Sequence, residues 1–173
     1  MIRIRIAGED YAALIADISR QTFFDSFAAQ NSKENMEMHI AQYYAPEIIQ
    51  AELRDTCNIF LLAYDGIRLV GYAKLNEHVK EESGGLENPI EIERIYSIKE
   101  MIGKGVGKKL MEKCLDIARG KDKKEIWLGV WETNNRAIEF YIRCGFEKFG
   151  EHNFPVGLDP QTDWLMKKSL TDV

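Results

Sequence analysis

The sequence predicts an α/β domain built on a single sheet, and three observations carry that prediction. Segments in which apolar residues alternate are interspersed with segments in which they recur every three to four positions. In the second half the order reads strand, glycine-rich turn, helix, strand, helix, strand, strand, which favours parallel pairing across a helical crossover. The length of 173 residues, with 45% apolar and 29% charged residues, suits one domain over residues 1–173 with one core.

Each element has its own signal. Met1-Ile2-Arg3-Ile4-Arg5-Ile6 alternates apolar and basic residues and reads as a first strand, since a signal peptide needs a continuous apolar stretch. Tyr11, Leu14, Ile15 and Ile18 fall on one helix face, and Phe23 and Phe27 continue the pattern. Ser32 can cap a second helix carrying Met36, Ile40, Tyr43 and Tyr44, and Pro46 suits the first turn of a third with Ile49 and Leu53. Asn58 to Tyr64, the turn Asp65-Gly66 and Ile67 to Leu75 read as a hairpin. The polar stretch Glu77 to Pro89, with Ser83-Gly84-Gly85, is expected to be a mobile loop. Ile90 to Ile98 is strand-like, and a helix follows the glycine turn to about Arg119, burying Val106, Leu110, Cys114 and Ile117. Glu125 to Trp131 is a strand buried on both faces. Asn134 to Cys144 is a helix with Gly145 as the left-handed residue past its end, and Phe146–Phe149 and Trp164–Lys168 are two final strands.

Composition removes several classes of function. A net charge of −5 is a poor match to nucleic acid, which needs a dense basic surface, and it suits a small cationic partner. No apolar run approaches the ~18 residues of a membrane span. Cys57, Cys114 and Cys144 are odd in number and far apart, so neither a disulfide framework nor a zinc site is expected, and a reducing cytoplasm is the expected compartment.

Gly103-Lys104-Gly105-Val106-Gly107 is the most informative segment. Small residues after a strand and at the start of a helix let the backbone approach an anion, where unpaired N–H groups and the helix dipole favour negative charge. Lys104, Lys108 and Lys109 add charge nearby. The alternative is a tight turn whose glycines serve only backbone geometry. A Walker loop is excluded, because Lys109 follows Gly107-Lys108 and Ile102 occupies the earlier glycine position. The dinucleotide fingerprint fails too, with Lys108 or Leu110 at its third glycine.

Glu93-Arg94-Ile95-Tyr96-Ser97-Ile98, followed by the glycine turn, resembles the acetyl-CoA motif of the GCN5-related N-acetyltransferases (GNAT). Gly105 and Gly107 match the family glycines, and Ile102 departs from its usual Gln or Arg. Asn134-Asn135-Arg136-Ala137-Ile138-Glu139-Phe140-Tyr141, then Gly145-Phe146, is similar to a second family segment. Ile92 to Tyr96, Ile126 to Glu132, Gly150-Glu151-His152 and Gln161-Thr162-Asp163 are further similar to bacterial PaiA-type spermidine/spermine N-acetyltransferases. The resemblance implies a mixed, mostly antiparallel sheet whose parallel central pair splays at the acetyl-CoA site, flanked by about four helices. It also implies acetyl transfer to a primary amine, with acetyl-CoA as cosubstrate, no metal, and a small cationic amine as partner, a homodimer being left open.

At neutral pH an alkyl ammonium, with a pKa near ~10.4, has almost no nucleophilic form, so a base is required, with an oxyanion donor and an acid for the departing thiolate. By resemblance Glu93 is the candidate base and Tyr141 the candidate acid. Strand alternation puts Glu91, Glu93 and Ile95 on one face, so Glu91 rivals Glu93, which could equally be a salt-bridge partner of Arg94. Ile138, Tyr141 and Ile142 share a helix face, so a core role for Tyr141 competes. Ile95, Tyr96 and Ser97 are expected along the pantetheine arm, Gly103 to Lys108 around the pyrophosphate, and Asn134, Tyr141 and Arg143 beside the cofactor. His39, His78 and His152 lack metal-ligand spacing and read as surface or hydrogen-bonded residues, with a substrate role open for His152. Asp25, Glu37, Glu132 and Asp163 are candidates to line a polyamine site, and Cys114 and Cys144 read as core. The competing functions are the same chemistry on a protein N-terminus, an antibiotic or an amino acid, and a non-catalytic acyl-CoA-binding regulatory domain.

Overall fold

A seven-stranded sheet in the order β1-β2-β3-β4-β5-β7-β6 organises the chain. The structure, a computed structural model, describes residues 1–171, and of Phe154 the backbone. The elements are β1 (Ile2–Ile6), α1 (Ala12–Phe27), α2 (Lys33–Tyr43), α3 (Pro46–Arg54), β2 (Asn58–Asp65), β3 (Arg68–Asn76), β4 (Pro89–Ser97), α4 (Val106–Gly120), β5 (Glu125–Trp131), α5 (Asn135–Arg143), β6 (Glu147–Val156) and β7 (Asp159–Ser169). Every neighbouring pair is antiparallel except β4 and β5, which run parallel across the α4 crossover. This is the mixed sheet expected for the GNAT fold, and five α-helices flank it among the described residues.

Local chemistry accounts for the boundaries. The Ser32 side chain accepts a hydrogen bond from the Asn35 amide and caps α2. Pro46 occupies the first turn of α3, where its missing N–H costs no bond. Gly145, at φ +90°, ends α5, with its amide on the Ile142 carbonyl at 2.9 Å and the Phe146 amide on Tyr141 at 3.0 Å. The continuous burial of Phe60–Ala63 and of Val70–Leu75 requires cover on both sheet faces. Contacts of α4 with β1 to β4, and of α1 and α3 with β3 and β2, supply it.

Two expectations change, and of the two readings of His39 the hydrogen-bonded one holds. The last hairpin is longer than Phe146–Phe149 and Trp164–Lys168, because Pro155 and Pro160 lie opposite each other at its end, on strands that tolerate them there. The stretch from Glu77 to Pro89 is a loop, yet it is fastened: Glu77 pairs with Lys121 at 2.7 Å and Lys123 at 3.1 Å, and Ser83 is buried. His39 is not at the surface but in the core, stacked on Phe23 at 4.1 Å. Burial there lowers its imidazole to about 4, although it also has a hydrogen bond to the Pro155 backbone.

Candidate active site

Pairing between β4 and β5 covers only Pro89–Glu91 against Glu125–Trp127. Beyond that point β4 continues to Ser97 against β3 alone, and β5 continues to Trp131 against β7 alone. The two facing edges therefore keep backbone groups without a strand partner, the arrangement by which an extended ligand adds to a sheet. The opening is a cleft of about 630 Å³, a volume that suits a small-molecule ligand.

One end of the cleft is made by the start of α4. Gly105 stands at φ +87°, a conformation that an L side chain resists, and turns the chain into the helix. The first intrahelical bond runs from the Lys109 amide to the Gly105 carbonyl, so the preceding amides are free of the helix ladder. Gly103, Gly105, Gly107 and Lys108 line the cleft here. Lys104 and Val106, expected with them, do not: the Lys104 amide donates to the Met101 carbonyl at 3.1 Å, and the Val106 side chain is buried in the core. A polarised row of amides at a helix start, with Lys108 beside it, fits the pyrophosphate of a nucleotide cofactor.

The walls bring together residues far apart in sequence. Ile95, Tyr96 and Ser97 of β4 face Asn134, Tyr141 and Arg143 of the α5 segment. Asn134 caps α5 by accepting from the Ala137 amide at 3.3 Å. Tyr141 is 8% exposed and belongs both to the core and to the cleft wall, so the two readings of it are compatible. Burial raises its phenol, which keeps the hydroxyl protonated as a donor. Cys114 is a core thiol that burial pushes up to about 12, whereas Cys144, expected in the core, is half-buried in the cleft wall.

The other end is charged. A bulge in β4 leaves Ile92 opposite Leu75 and Arg94 opposite Lys74, with Glu93 as the extra residue. This breaks the simple alternation expected for Glu91, Glu93 and Ile95. Glu52 of α3 receives Arg94 in two hydrogen bonds of 2.9 Å and Lys74 in a third of 2.9 Å. Glu93 accepts from Lys74 at 2.7 Å, Asn76 at 2.8 Å and Lys80 at 3.2 Å, and lies 3.5 Å from Arg94. Lys80 also reaches Glu91 at 2.6 Å. Burial raises the Glu93 carboxyl, but Lys74, Arg94 and Lys80 together overcome it and hold the group at about 2. Burial dominates for Glu91 and raises it. The network of three cations and three carboxylates is neutral, and sequence reasoning missed it except for the Arg94–Glu93 pair.

Of the carboxylates proposed for a polyamine site, Asp25, Glu37 and Glu132 are exposed, and only Asp163 enters the cleft. His152 lies directly opposite Asp163 in the sheet register and lines a second, shallower groove of about 550 Å³ with Glu81, Glu82 and Glu151. Asp55, Cys57 and His78 place donor atoms within 4.8 Å of one another, a cluster unseen in the sequence spacing and already linked by an Asp55–His78 hydrogen bond of 2.6 Å. Among the described residues, no helix is long and apolar enough to cross a membrane.

The acetyltransferase (GNAT) family model matches residues 16–146. An uncharacterized N-acetyltransferase of Lactobacillus delbrueckii subsp. lactis is 37% identical over 168 residues, 96% of each chain. The spermidine N(1)-acetyltransferase of Thermoplasma acidophilum is 27% identical over 147 residues, 83% of this chain and 86% of its own. The fold is that of a crystal structure of PaiA N-acetyltransferase from T. acidophilum in complex with coenzyme A, with a TM-score of 0.78 at 23% identity over 98% of this chain and 99% of that one.

Proposed function

The chain belongs to the acetyltransferase (GNAT) family, and on that premise we propose that it acetylates a primary amine of a polyamine such as spermidine or spermine. The observation that carries the reading is the continuity of the cleft, with the glycine-started helix at one end and Glu93 and Asp163 among the lining of the same opening. Acetyl-CoA supplies an activated thioester. The amides at the start of α4 hold its pyrophosphate, and the unpaired edge of Ile95 to Ser97 pairs with its pantetheine arm. The Tyr141 hydroxyl donates to the sulfur as that atom gains charge. Glu93, expected as the base, is held by Lys74, Asn76 and Lys80 and is too well neutralised for that task, so its role here is to fix the wall of the cleft.

A polyamine adds ammonium groups along a flexible chain, and Glu81 and Glu82 of the second groove are suited to pair with the distal ones, whereas Glu151 there already pairs with Lys148. Each exposed pair contributes only ~0–1 kcal/mol, so several must act together. The Thermoplasma relative named for spermidine is consistent with this acceptor. The test is steady-state efficiency on spermidine, spermine, an alkyl monoamine and an alanine-leading peptide at low and high salt. Spermidine should lead, and salt should raise its KM more than that for acetyl-CoA. A monoamine or peptide that matches spermidine removes the polyamine acceptor and leaves the acetyltransferase intact.

A further inference from the structure

Among the described residues, the cleft contains one carboxyl that no ion pair uses. Asp163 lies on β7, opposite Trp131 of β5 and His152 of β6. It is 7% exposed, it lines the cleft, and its Oδ1 accepts no hydrogen bond among the described residues. Its Oδ2 sits 3.0 Å from the point where a Cβ on residue 129 would stand, so Gly129 is what leaves it room. Among the described residues no cation pairs with it. The titratable groups that face it are His152 from β6, whose ring also approaches that point over Gly129, Tyr96 from β4 and Tyr141 from α5. Burying a carboxylate without a partner is costly, and proteins keep such groups at sites that use them.

We propose that Asp163 is the catalytic base, taking a proton from the ammonium of the acceptor in the cleft that it lines together with Tyr141. This rests on the acetyltransfer reading and adds to it the group that activates the nucleophile. The ammonium gives one proton to Asp163, and the freed nitrogen forms its bond to the acetyl carbon. The bond from that carbon to sulfur breaks, and the sulfur takes the proton of the Tyr141 hydroxyl. The nitrogen's remaining excess proton restores Tyr141, and Asp163 releases its proton to solvent, so one proton is lost per turnover. Burial alone pushes the Asp163 carboxyl up to about 7, against about 2 for Glu93. Burial without a cation therefore makes Asp163 the stronger proton acceptor of the two carboxylates.

The experiment compares wild type, Asp163→Asn and Glu93→Gln with spermidine over pH 5.5–9, alongside calorimetric binding of acetyl-CoA. Wild-type kcat/KM should rise with pH through about 7. Asp163→Asn should lose ~100-fold to 10,000-fold in kcat, lose that pH step and still bind acetyl-CoA. Glu93→Gln should keep the step. A step lost in Glu93→Gln and kept in Asp163→Asn overturns the proposal, as does Asp163→Asn activity within a few-fold of wild type. If spermidine is not turned over at all, the polyamine reading fails and Asp163 is tested by itself. The carbon NMR signal of its carboxyl, assigned in wild type by its loss in Asp163→Asn or, should that variant not fold, in Asp163→Ser, must titrate near pH 7. Titration of that carboxyl below pH 5 overturns the proposal.

Discussion

Replacing Glu52 by Gln tests how the charged end of the cleft is held. Glu52 is the bidentate partner of Arg94 and also accepts from Lys74, and the side chains of these two cations are only 6% and 4% exposed. Gln keeps the shape, removes the charge and turns an amide toward the guanidinium. Removing one partner of a buried pair costs ~3–5 kcal/mol, and the 19% exposure of Glu52 places it at the lower end, ~3 kcal/mol. For a chain of this size ~1 kcal/mol shifts the melting temperature by ~2–4 °C, so Glu52→Gln should melt ~6–12 °C below wild type. Thermal unfolding at neutral pH followed by circular dichroism measures this. The double replacement Glu52→Leu with Arg94→Met removes one charge of each sign and leaves Lys74 and Lys80 with Glu91 and Glu93. It should recover at least half of the loss, since apolar replacement of a whole buried pair is often neutral. Melting of Glu52→Gln within ~2 °C of wild type would refute the reasoning, because the two cations would then have found other partners or water at little cost.

Gly105→Glu combines strain at φ +87° with a negative charge at the amide row, and should weaken acetyl-CoA binding at least tenfold, ~1.4 kcal/mol, in calorimetry on a folded variant. Tyr141→Phe keeps the packing surface and should lower kcat by ~100-fold to 10,000-fold, and a change within a few-fold with chemistry rate-limiting would return Tyr141 to the core alone. Asp163 binds its proton more tightly folded than unfolded, so its contribution to stability is complete below the ordinary 3.8 and is lost as pH rises through about 7. Asp163→Asn should therefore unfold like wild type at pH 3.5 and gain up to ~4 kcal/mol at pH 8 in denaturant titrations, whereas equal gains at both pH values would deny the shift.

Much of the fold and half of the site were legible in the sequence because they depend on rules that act over a few residues. Apolar period marks the helices and strands, Ser32 and Asn134 cap α2 and α5, and Gly105 and Gly145 take the left-handed conformations that start one helix and end another. The strand, glycine turn and helix start that form one end of the cleft are contiguous in the chain, and so is the Asn134 to Tyr141 segment. The charged end obeys no such rule. Arg94 meets Glu52 from 42 positions away, and the bulge that aims Glu93 is a matter of register between β3 and β4. The sequence pattern marks the last strand only from Trp164, so only the sheet pairing shows β7 reaching back to Asp163 opposite Trp131. Tertiary structure decided which carboxylate is neutralised and which is buried alone. Charge pairing and desolvation act through space between strands that only the folded sheet brings together.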